Sequence, residues 1–150
     1  MKKAEKYAED FMEIYNKAWS KHSGISKMRK AQAIALMKSL KPVMDPEIVW
    51  FGYYKNEPIA FYIMLPEMNQ IIKHLNGKFN LWAKLKFLWY KKTNVCRKIF
   101  GVIFGVVPEH QQKGVDSAIV LKYAEYAHQP NYRYDEMELN WIGDFNPKMM

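Results

Sequence analysis

A short polar turn between residues 106 and 117 holds the side chains best suited to chemistry in this 150-residue chain. It follows the apolar run Ile99 to Val107 and precedes an amphipathic run, which predicts a buried strand leading through a turn into a helix N-terminus. The first amides of a helix lack partners within the helix and attract anions. Gly114 would let a ligand approach the backbone, Lys113 would add positive charge, and Pro108 would end the pairing of the strand. These features predict a site for a phosphorylated ligand.

The same turn carries a family resemblance. The run Val-Val-Pro-Glu-His-Gln-Gln-Lys-Gly-Val-Asp-Ser-Ala resembles motif A of the GNAT N-acetyltransferases, in which a strand ending in Val-x-Pro-Glu leads to Gln/Arg-x-x-Gly-x-Gly/Ala. Gln111 matches the first position and Gly114 the central glycine, whereas Asp116 stands where Gly or Ala is usual. Other segments resemble one GNAT-like subgroup: Asn-Lys-Ala-Trp, Asp-Pro-Glu, Leu-Pro-Glu-Met-Asn, Glu-Leu-Asn-Trp-Ile and Asn-Pro-Lys-Met.

This resemblance implies an α/β (mixed α+β) fold with a central mixed, twisted sheet flanked by helices, as in acyl-CoA N-acyltransferases. It implies acetyl-CoA as the co-substrate, with its pantetheine against the backbone of Val106 and Val107, either of which would offer an N–H to the oxyanion. A substrate amine would attack the thioester directly. Asn146, a good N-cap before Pro147, matches a family Asn near the cofactor. The pyrophosphate would lie on consecutive amides: Gln112, Lys113, Gly114, Val115, Asp116 and Ser117.

Direct attack requires a general base to take a proton from the ammonium. Glu138, on a strand beside the expected cleft, is one candidate, and the alternative is a solvated strand face. Glu109 is the other, unless it only caps the turn. Glu67 and Asn69 would face the amine, or else form an acidic first turn of a helix.

Asp116 raises an alternative to catalysis. A carboxylate in the first turn of a helix is favourable by about 0.3–1 kcal/mol, but it also occupies or repels the place of the phosphates. A self-capped helix and a degenerate, non-catalytic CoA-binding or interaction module therefore remain open.

Around the turn, hydrophobic spacing predicts the order helix, helix, hairpin, helices, strand, helix, strand. Three- and four-residue steps predict a helix over Ala4 to Trp19, and Ser26 is a candidate N-cap for a second helix reaching Leu40. The hairpin pairs Ile48 to Tyr54 with Ile59 to Leu65. Further helices are predicted over Glu67 to Leu75, Phe79 to Tyr90 and Val115 to His128, and strands over Ile99 to Val107 and Tyr134 to Ile142.

The net charge of +8 would suit an anionic partner, and the lysines cluster only in the segment Lys78 to Lys98. A basic nucleic-acid-binding protein is thus a third hypothesis, which no recognised motif supports. Within that segment, the apolar stripe that includes Trp82 and Trp89 is interpreted as packing on the sheet rather than on a membrane. One cysteine and four scattered histidines predict no metal site.

We therefore predict a single GNAT-like domain over residues 1–150 that acylates an unidentified small-molecule or peptide amine. No signal peptide or membrane-spanning run is visible, so a cytoplasmic location without membrane contact is expected. A GNAT domain would continue beyond Pro147 through a helix and two strands, so the chain is expected to be C-terminally incomplete. A partner chain, for example in a homodimer, would then complete the exposed sheet.

Overall fold

The computed structural model describes residues 2–19, 26–77, 80–93 and 95–139. The helices in these ranges are α1 (Lys2–Ala18), α2 (Lys30–Leu40), α3 (Asn69–Ile72), α4 (Leu81–Lys92) and α5 (Val115–Ala127). The strands are β1 (Val49–Tyr54), β2 (Glu57–Pro66), β3 (Lys98–Val106) and β4 (Glu136–Leu139). Single 3-10 turns lie at Pro46–Ile48, Lys73–Leu75 and Pro108–His110.

The strands form one mixed sheet in the order β1-β2-β3-β4. β1 and β2 pair antiparallel, and their connection has two left-handed residues, Lys55 at φ 48° and Asn56 at φ 68°. Two positive φ values are what a tight, right-twisted hairpin requires. β3 and β4 pair in parallel, from Lys98 opposite Glu136 to Gly101 opposite Leu139. The predicted hairpin and the predicted parallel strand–helix–strand unit are both confirmed.

Contacts divide the chain into two compact units, Met1–Ile63 with Ile103–Tyr132, and Met64–Val102 with Arg133–Met150. In the first unit, side chains of the hairpin alternate between two helices, because successive residues of a strand point to opposite faces. Phe61 packs against Phe11 of α1, with ring centroids 4.9 Å apart. Tyr62, its neighbour, meets Tyr123 of α5 at 5.7 Å. The sheet is therefore flanked by helices, and β2 is fully buried from Ile59 to Met64.

Gly105 of β3 is a point of close packing in the first unit. A Cβ atom placed there would lie 2.7 Å from Cζ3 of Trp19 and 3.0 Å from Cζ of Phe61. The two rings stack with centroids 5.9 Å apart. The group that approaches this glycine is the aromatic ring of Trp19, which follows α1.

In the second unit, paired backbone and side-chain groups hold the start of β3. The side-chain oxygen of Gln70 accepts from the N–H of Arg97 at 2.8 Å, and the N–H of Glu67 donates to the carbonyl of Lys98 at 2.8 Å. Cys96 is buried here and reduced, and burial raises the pKa of its thiol. Asn76 at φ 48° and Gly77 at φ 69° end the preceding turn in left-handed conformations.

The second helix starts later than predicted. α2 begins at Lys30 with Arg29 as its N-cap, rather than after Ser26. Asn16 of α1 accounts for the difference, because its side chain accepts from the N–H of Met28 at 2.7 Å and donates to the carbonyl of Met28 at 2.9 Å. With both backbone groups engaged by Asn16, Met28 cannot join the helical hydrogen-bond pattern.

The orientation of α4 was wrongly interpreted from the sequence. Its packed face carries Ala83, Phe87 and Tyr90, whereas the stripe of leucine and tryptophan expected to pack on the sheet is exposed. Two stripes of this helix are apolar, so periodicity alone did not decide which one is buried. All residues of β4 are exposed.

Candidate functional site

The predicted turn between β3 and α5 adopts a conformation that exposes its backbone. After the 3-10 turn at Pro108–His110, Gln112 has φ 59° and Gly114 has φ 75°. Left-handed residues in a turn can direct successive N–H groups toward one side, and such concave groups of amides bind anions. The side-chain amide of Gln111 donates to the carbonyl of Val106 at 3.0 Å and so ties the turn to the end of the strand.

Six consecutive amides of this turn, those of residues 112–117, make no hydrogen bond to any part of the chain that the structure describes. The first helical bond of α5 runs from the N–H of Ala118 to the carbonyl of Gly114, at 2.9 Å. Gly114 is the N-cap and offers no side chain to the helix. The amides expected to receive a pyrophosphate are thus available to an external acceptor.

The space over these amides is open. A Cβ atom built on Gly114 would have no heavy atom within 4 Å. The side chains of Lys113, Asp116 and Ser117 are exposed. The carboxylate of Asp116 accepts no hydrogen bond from the described residues, so it does not cap the helix. The start of α5 is therefore not capped by Asp116, unlike in the self-capped alternative.

Val106 and Val107, the residues expected beside the pantetheine, are buried. The N–H of Val107 donates to the carbonyl of Ile59 at 2.9 Å, and the carbonyl of Val106 is held by Gln111. Val107 therefore has no free N–H for an oxyanion in this structure, which leaves Val106 as the candidate of the two.

Glu109, a predicted base, is exposed on the 3-10 turn that immediately precedes the open amides. No ion pair within the described residues engages its carboxylate. The neighbouring His110 contacts Tyr54 of β1, with ring centroids 5.2 Å apart. The ammonium of Lys17, whose pKa is raised mainly by its hydrogen bond to Glu13, also interacts with the charge of Glu109.

Glu138, the other predicted base, lies on β4 with its carboxylate 2.6 Å from the ammonium of Lys98. This hydrogen bond raises the pKa of Lys98. The pair is local to β3 and β4, which lie side by side in parallel at this point. As a base, Glu138 would first have to release this ammonium.

The two predicted amine-facing residues bond to each other. The carboxylate of Glu67, which precedes α3, accepts from the N–H of Asn69 at 3.0 Å. The first turn of α3 holds no acidic residue, and its N-cap, Met68, makes no side-chain cap. Asn146, the remaining predicted cofactor residue, lies outside the described residues.

Sequence reasoning missed two features of the turn. The bond from Gln111 to Val106 was not foreseen from the sequence. The bond between Val107 and Ile59 joins residues far apart in the sequence, and no local pattern indicates it. Among the described residues, no group of three His, Cys, Asp or Glu side chains is placed to hold a metal ion.

No family model matches the chain. The chain is 28% identical over 151 residues to a bacterial ceramide synthase of Caulobacter vibrioides, covering 99% of this chain and 39% of that protein. It is 26% identical over 150 residues to the protein YghO of Escherichia coli K12, covering 97% of this chain and 38% of that protein. The chain thus spans about two fifths of the length of these curated relatives.

Solved acetyltransferases share the fold. An aminoglycoside N-acetyltransferase, AAC(6')-Iy, in complex with CoA matches 96% of this chain and 76% of its own, with a TM-score of 0.55 and 12% identity. A protein from Clostridium difficile 630, described as a possible acetyltransferase, matches 97% and 79%, with a TM-score of 0.56 and 10% identity. The predicted GNAT-like fold, a mixed sheet flanked by helices, is confirmed.

Proposed function

We propose that this chain, which has a GNAT-like fold, binds an acyl-CoA at the turn 106–117 and transfers the acyl group to an amine. The observation that carries the proposal is the set of six unbonded amides at residues 112–117. A CoA pyrophosphate needs several N–H donors that converge on one place, and the N-terminus of α5 adds a favourable dipole. The open space over Gly114 allows the phosphates to reach these donors.

The proposed chemistry is direct acyl transfer. The amine nitrogen attacks the thioester carbonyl and forms a C–N bond; the C–S bond then breaks, and the CoA thiolate leaves and takes up a proton. The N–H of Val106 is the proposed oxyanion donor. Glu109 is the first candidate to accept the proton from the ammonium, because no ion pair within the described residues holds its carboxylate. Glu138, which is ion-paired with Lys98, is the second.

The acceptor class is suggested by the Caulobacter relative, whose name is that of a ceramide synthase. A ceramide is an amide of a long-chain amino alcohol, so its synthesis includes the acylation of an amine. We extend this to the present chain by proposing a long-chain amine as acceptor, with small polar amines and peptide amines as the alternatives. A single domain over 1–150, a cytoplasmic location and a homodimer remain part of the proposal.

Calorimetric titration of acetyl-CoA and desulfo-CoA into the chain tests the CoA site. Binding of both ligands is expected, since desulfo-CoA retains the phosphates. Asp116→Gly should bind them several-fold more tightly because a negative charge near the phosphates is removed. Glu125→Gln, a carboxylate in the same helix α5 but near its other end, is the matched control and should not change the affinity.

The outcomes separate three hypotheses. Absence of heat from both the native chain and Asp116→Gly would contradict acyl-CoA binding. Binding only in Asp116→Gly would favour the degenerate module. Tight binding of DNA or RNA that weakens strongly with salt, without CoA binding, would favour the nucleic-acid alternative.

Thiol release from acetyl-CoA and a long-chain acyl-CoA tests the reaction itself. The acceptors are a long-chain amino alcohol in micelles, a polyamine and a short peptide, and turnover is expected with the first. Glu109→Gln should lower kcat by about 10²–10⁴-fold if Glu109 is the base, with CoA affinity unchanged. Glu138→Gln is run in parallel; a loss confined to that variant would move the assignment to Glu138.

A further inference from the structure

Helix α4 presents large apolar side chains to solvent. Leu81 is 71% exposed, Trp82 78% and Trp89 59%, and Leu85 and Leu88 are also more than half exposed. Exposed apolar side chains are ordinary when scattered, but a contiguous set of this size marks an interaction surface. We call these five side chains the α4 stripe.

The α4 stripe has a cationic border. At 3.6 residues per turn, its members fall within an arc of about 120°. Lys84 lies beyond one edge of this arc and Lys86 beyond the other, and both are exposed. Lys92 lies at the C-terminal end of the arc. A helix that lies in a membrane interface has tryptophan and leucine side chains between flanking lysines. The alkyl chains of the lysines lie along the apolar layer, and their ammonium groups reach the lipid phosphates.

The charge of the surrounding sequence has one sign. No acidic residue occurs between Glu67 and Glu109, while this interval holds eight lysines and arginines. Two of them, Arg97 and Lys98, are paired with Asp135 and Glu138. α4 itself contains no Asp or Glu that could neutralise its own lysines.

We propose that the α4 stripe docks this chain on an anionic lipid surface. The occupant follows from charge complementarity. A second copy packed on the same face would bring lysine rows against each other, with no acidic residue in the helix to separate them. A nucleic acid would be bound by stacking on the tryptophans but would leave the three leucines against a charged backbone. An anionic bilayer would bury the leucines and tryptophans in its apolar layer and contact the lysines with its phosphates.

A pocket beside the first turn of α4 fits the same partner. It has a volume of about 350 Å³, and its lining includes His74, Asn80, Trp82 and Lys86. Asn80 caps α4 by accepting from the N–H of Ala83 at 2.9 Å. A lipid phosphate seated there would meet the ammonium of Lys86 at the border of the stripe.

This inference is independent of acyl transfer, and it replaces the expectation of no membrane contact. No helix of the described residues has the length and apolar character needed to cross a bilayer, so the interaction proposed is with the surface alone. Such an arrangement would also bring the chain to a long-chain acceptor, although the docking does not require that acceptor.

Vesicle flotation with the full chain tests the proposal. One set of vesicles is phosphatidylcholine alone, and the other is equal parts phosphatidylcholine and phosphatidylglycerol. Binding is expected to the anionic vesicles, with a blue shift of tryptophan emission. Trp82→Gln with Trp89→Gln should weaken it by about tenfold or more, and Lys84→Gln with Lys86→Gln should weaken it most at low salt.

The controls are matched by exposure and residue type. Val120→Gln with Leu121→Gln alters exposed apolar residues of α5, and Lys38→Gln with Lys41→Gln removes exposed lysines elsewhere; neither pair should change binding. Thermal unfolding midpoints should stay unchanged in the α4 variants, because the altered side chains are exposed. A native chain that does not bind anionic vesicles, or binds them equally well in the tryptophan variant, overturns the proposal.

Two further measurements address the other occupants. In sedimentation velocity, a dimer that the tryptophan variant dissociates, without vesicle binding by the native chain, would assign the face to a second copy. Binding of a single-stranded oligonucleotide that depends on Trp82 and Trp89, again without vesicle binding, would assign it to nucleic acid. Either result would contradict lipid docking.

Discussion

Gly114 combines two requirements, a left-handed backbone and an unobstructed approach to the amides. Its φ of 75° is unfavourable for any residue with a Cβ atom, by about 1–2 kcal/mol. Because a Cβ atom at this position would have no heavy atom within 4 Å, steric contact inside the protein adds nothing to that cost. What a methyl group would obstruct is an external ligand.

Gly114→Ala and Gly77→Ala therefore form a matched pair. Gly77 has φ 69° and equally open surroundings, so both substitutions should lower the free energy of unfolding by a similar amount, about 1–2 kcal/mol. Only Gly114→Ala should abolish the calorimetric signal with acetyl-CoA. Equal CoA affinity in the two variants would contradict the placement of the phosphates over residues 112–117.

For single residues, the sequence predicts which side chains lie at the site better than it predicts which groups they bond to. Gly114 was found because close approach to the backbone favours glycine, and Gln111 because it matches a position of the GNAT motif. The carboxylate of Glu138 is held by Lys98 and the N–H of Val107 by Ile59. Both engagements depend on which strands are neighbours, and this information is absent from any short segment.

Gly105 lets the Trp19 ring, which follows α1, pack directly on the sheet, because the ring occupies the space that a side chain at position 105 would fill. Gly105→Ala should lower the free energy of unfolding by about 1–3 kcal/mol, because the ring must move away from its place against Phe61. Gly52→Ala is the milder comparison, with its Cβ 3.3 Å from that of Ala60. Urea unfolding measures both.

Trp19→Leu in the Gly105→Ala background would recover part of the loss if the ring is the obstacle. Equal losses for Gly105→Ala and Gly52→Ala would contradict the assignment of this contact.

The start of the parallel pair β3–β4 is held by a bidentate ion pair between Arg97 and Asp135. The hydrogen bond from Arg97 lowers the pKa of Asp135 below its ordinary 3.8. The folded state thus binds the proton less readily than the unfolded state. The stabilisation is fully present above pH 3.8 and is lost as the pH falls through the lowered folded-state value.

Asp135→Asn should accordingly reduce stability most above pH 3.8, and the difference from the native chain should shrink as the pH falls below 3.8 through the lowered folded-state pKa. Urea unfolding across this range measures it. Glu125→Gln, which breaks the exposed pair with Lys122, is the control for a pair within one helix. A difference that stays constant with pH would show that Asp135 acts through packing or polarity rather than charge.

Elements were predictable where one feature dominated. In α5, Ile119 and Tyr123 lie four residues apart and are both buried, as expected for an amphipathic helix. α4 has two apolar stripes, and the burial of the smaller one, with Ala83 at its centre, reflects packing partners elsewhere in the chain. Because the larger stripe of α4 remained exposed, it is the surface proposed to dock on a membrane.

For the whole molecule, the two proposed sites belong to different compact units, the CoA turn to the first and α4 to the second. Each proposed ligand should therefore slow amide hydrogen exchange in a different segment. The amides of residues 112–117, which lack partners within the described chain, should exchange fast in the free protein and slow down with acetyl-CoA, because the phosphates accept from them.

Anionic vesicles should instead slow exchange in residues 81–92 and leave residues 112–117 unchanged. Backbone amides of α4 are already helical, so their protection would rise because the bilayer surface suppresses local opening of the helix. Peptide-level exchange with each ligand alone, and then with both, provides the measurement. Protection of residues 112–117 by vesicles without CoA would contradict the assignment of separate ligands to the two surfaces, since an anionic headgroup would then occupy the CoA turn.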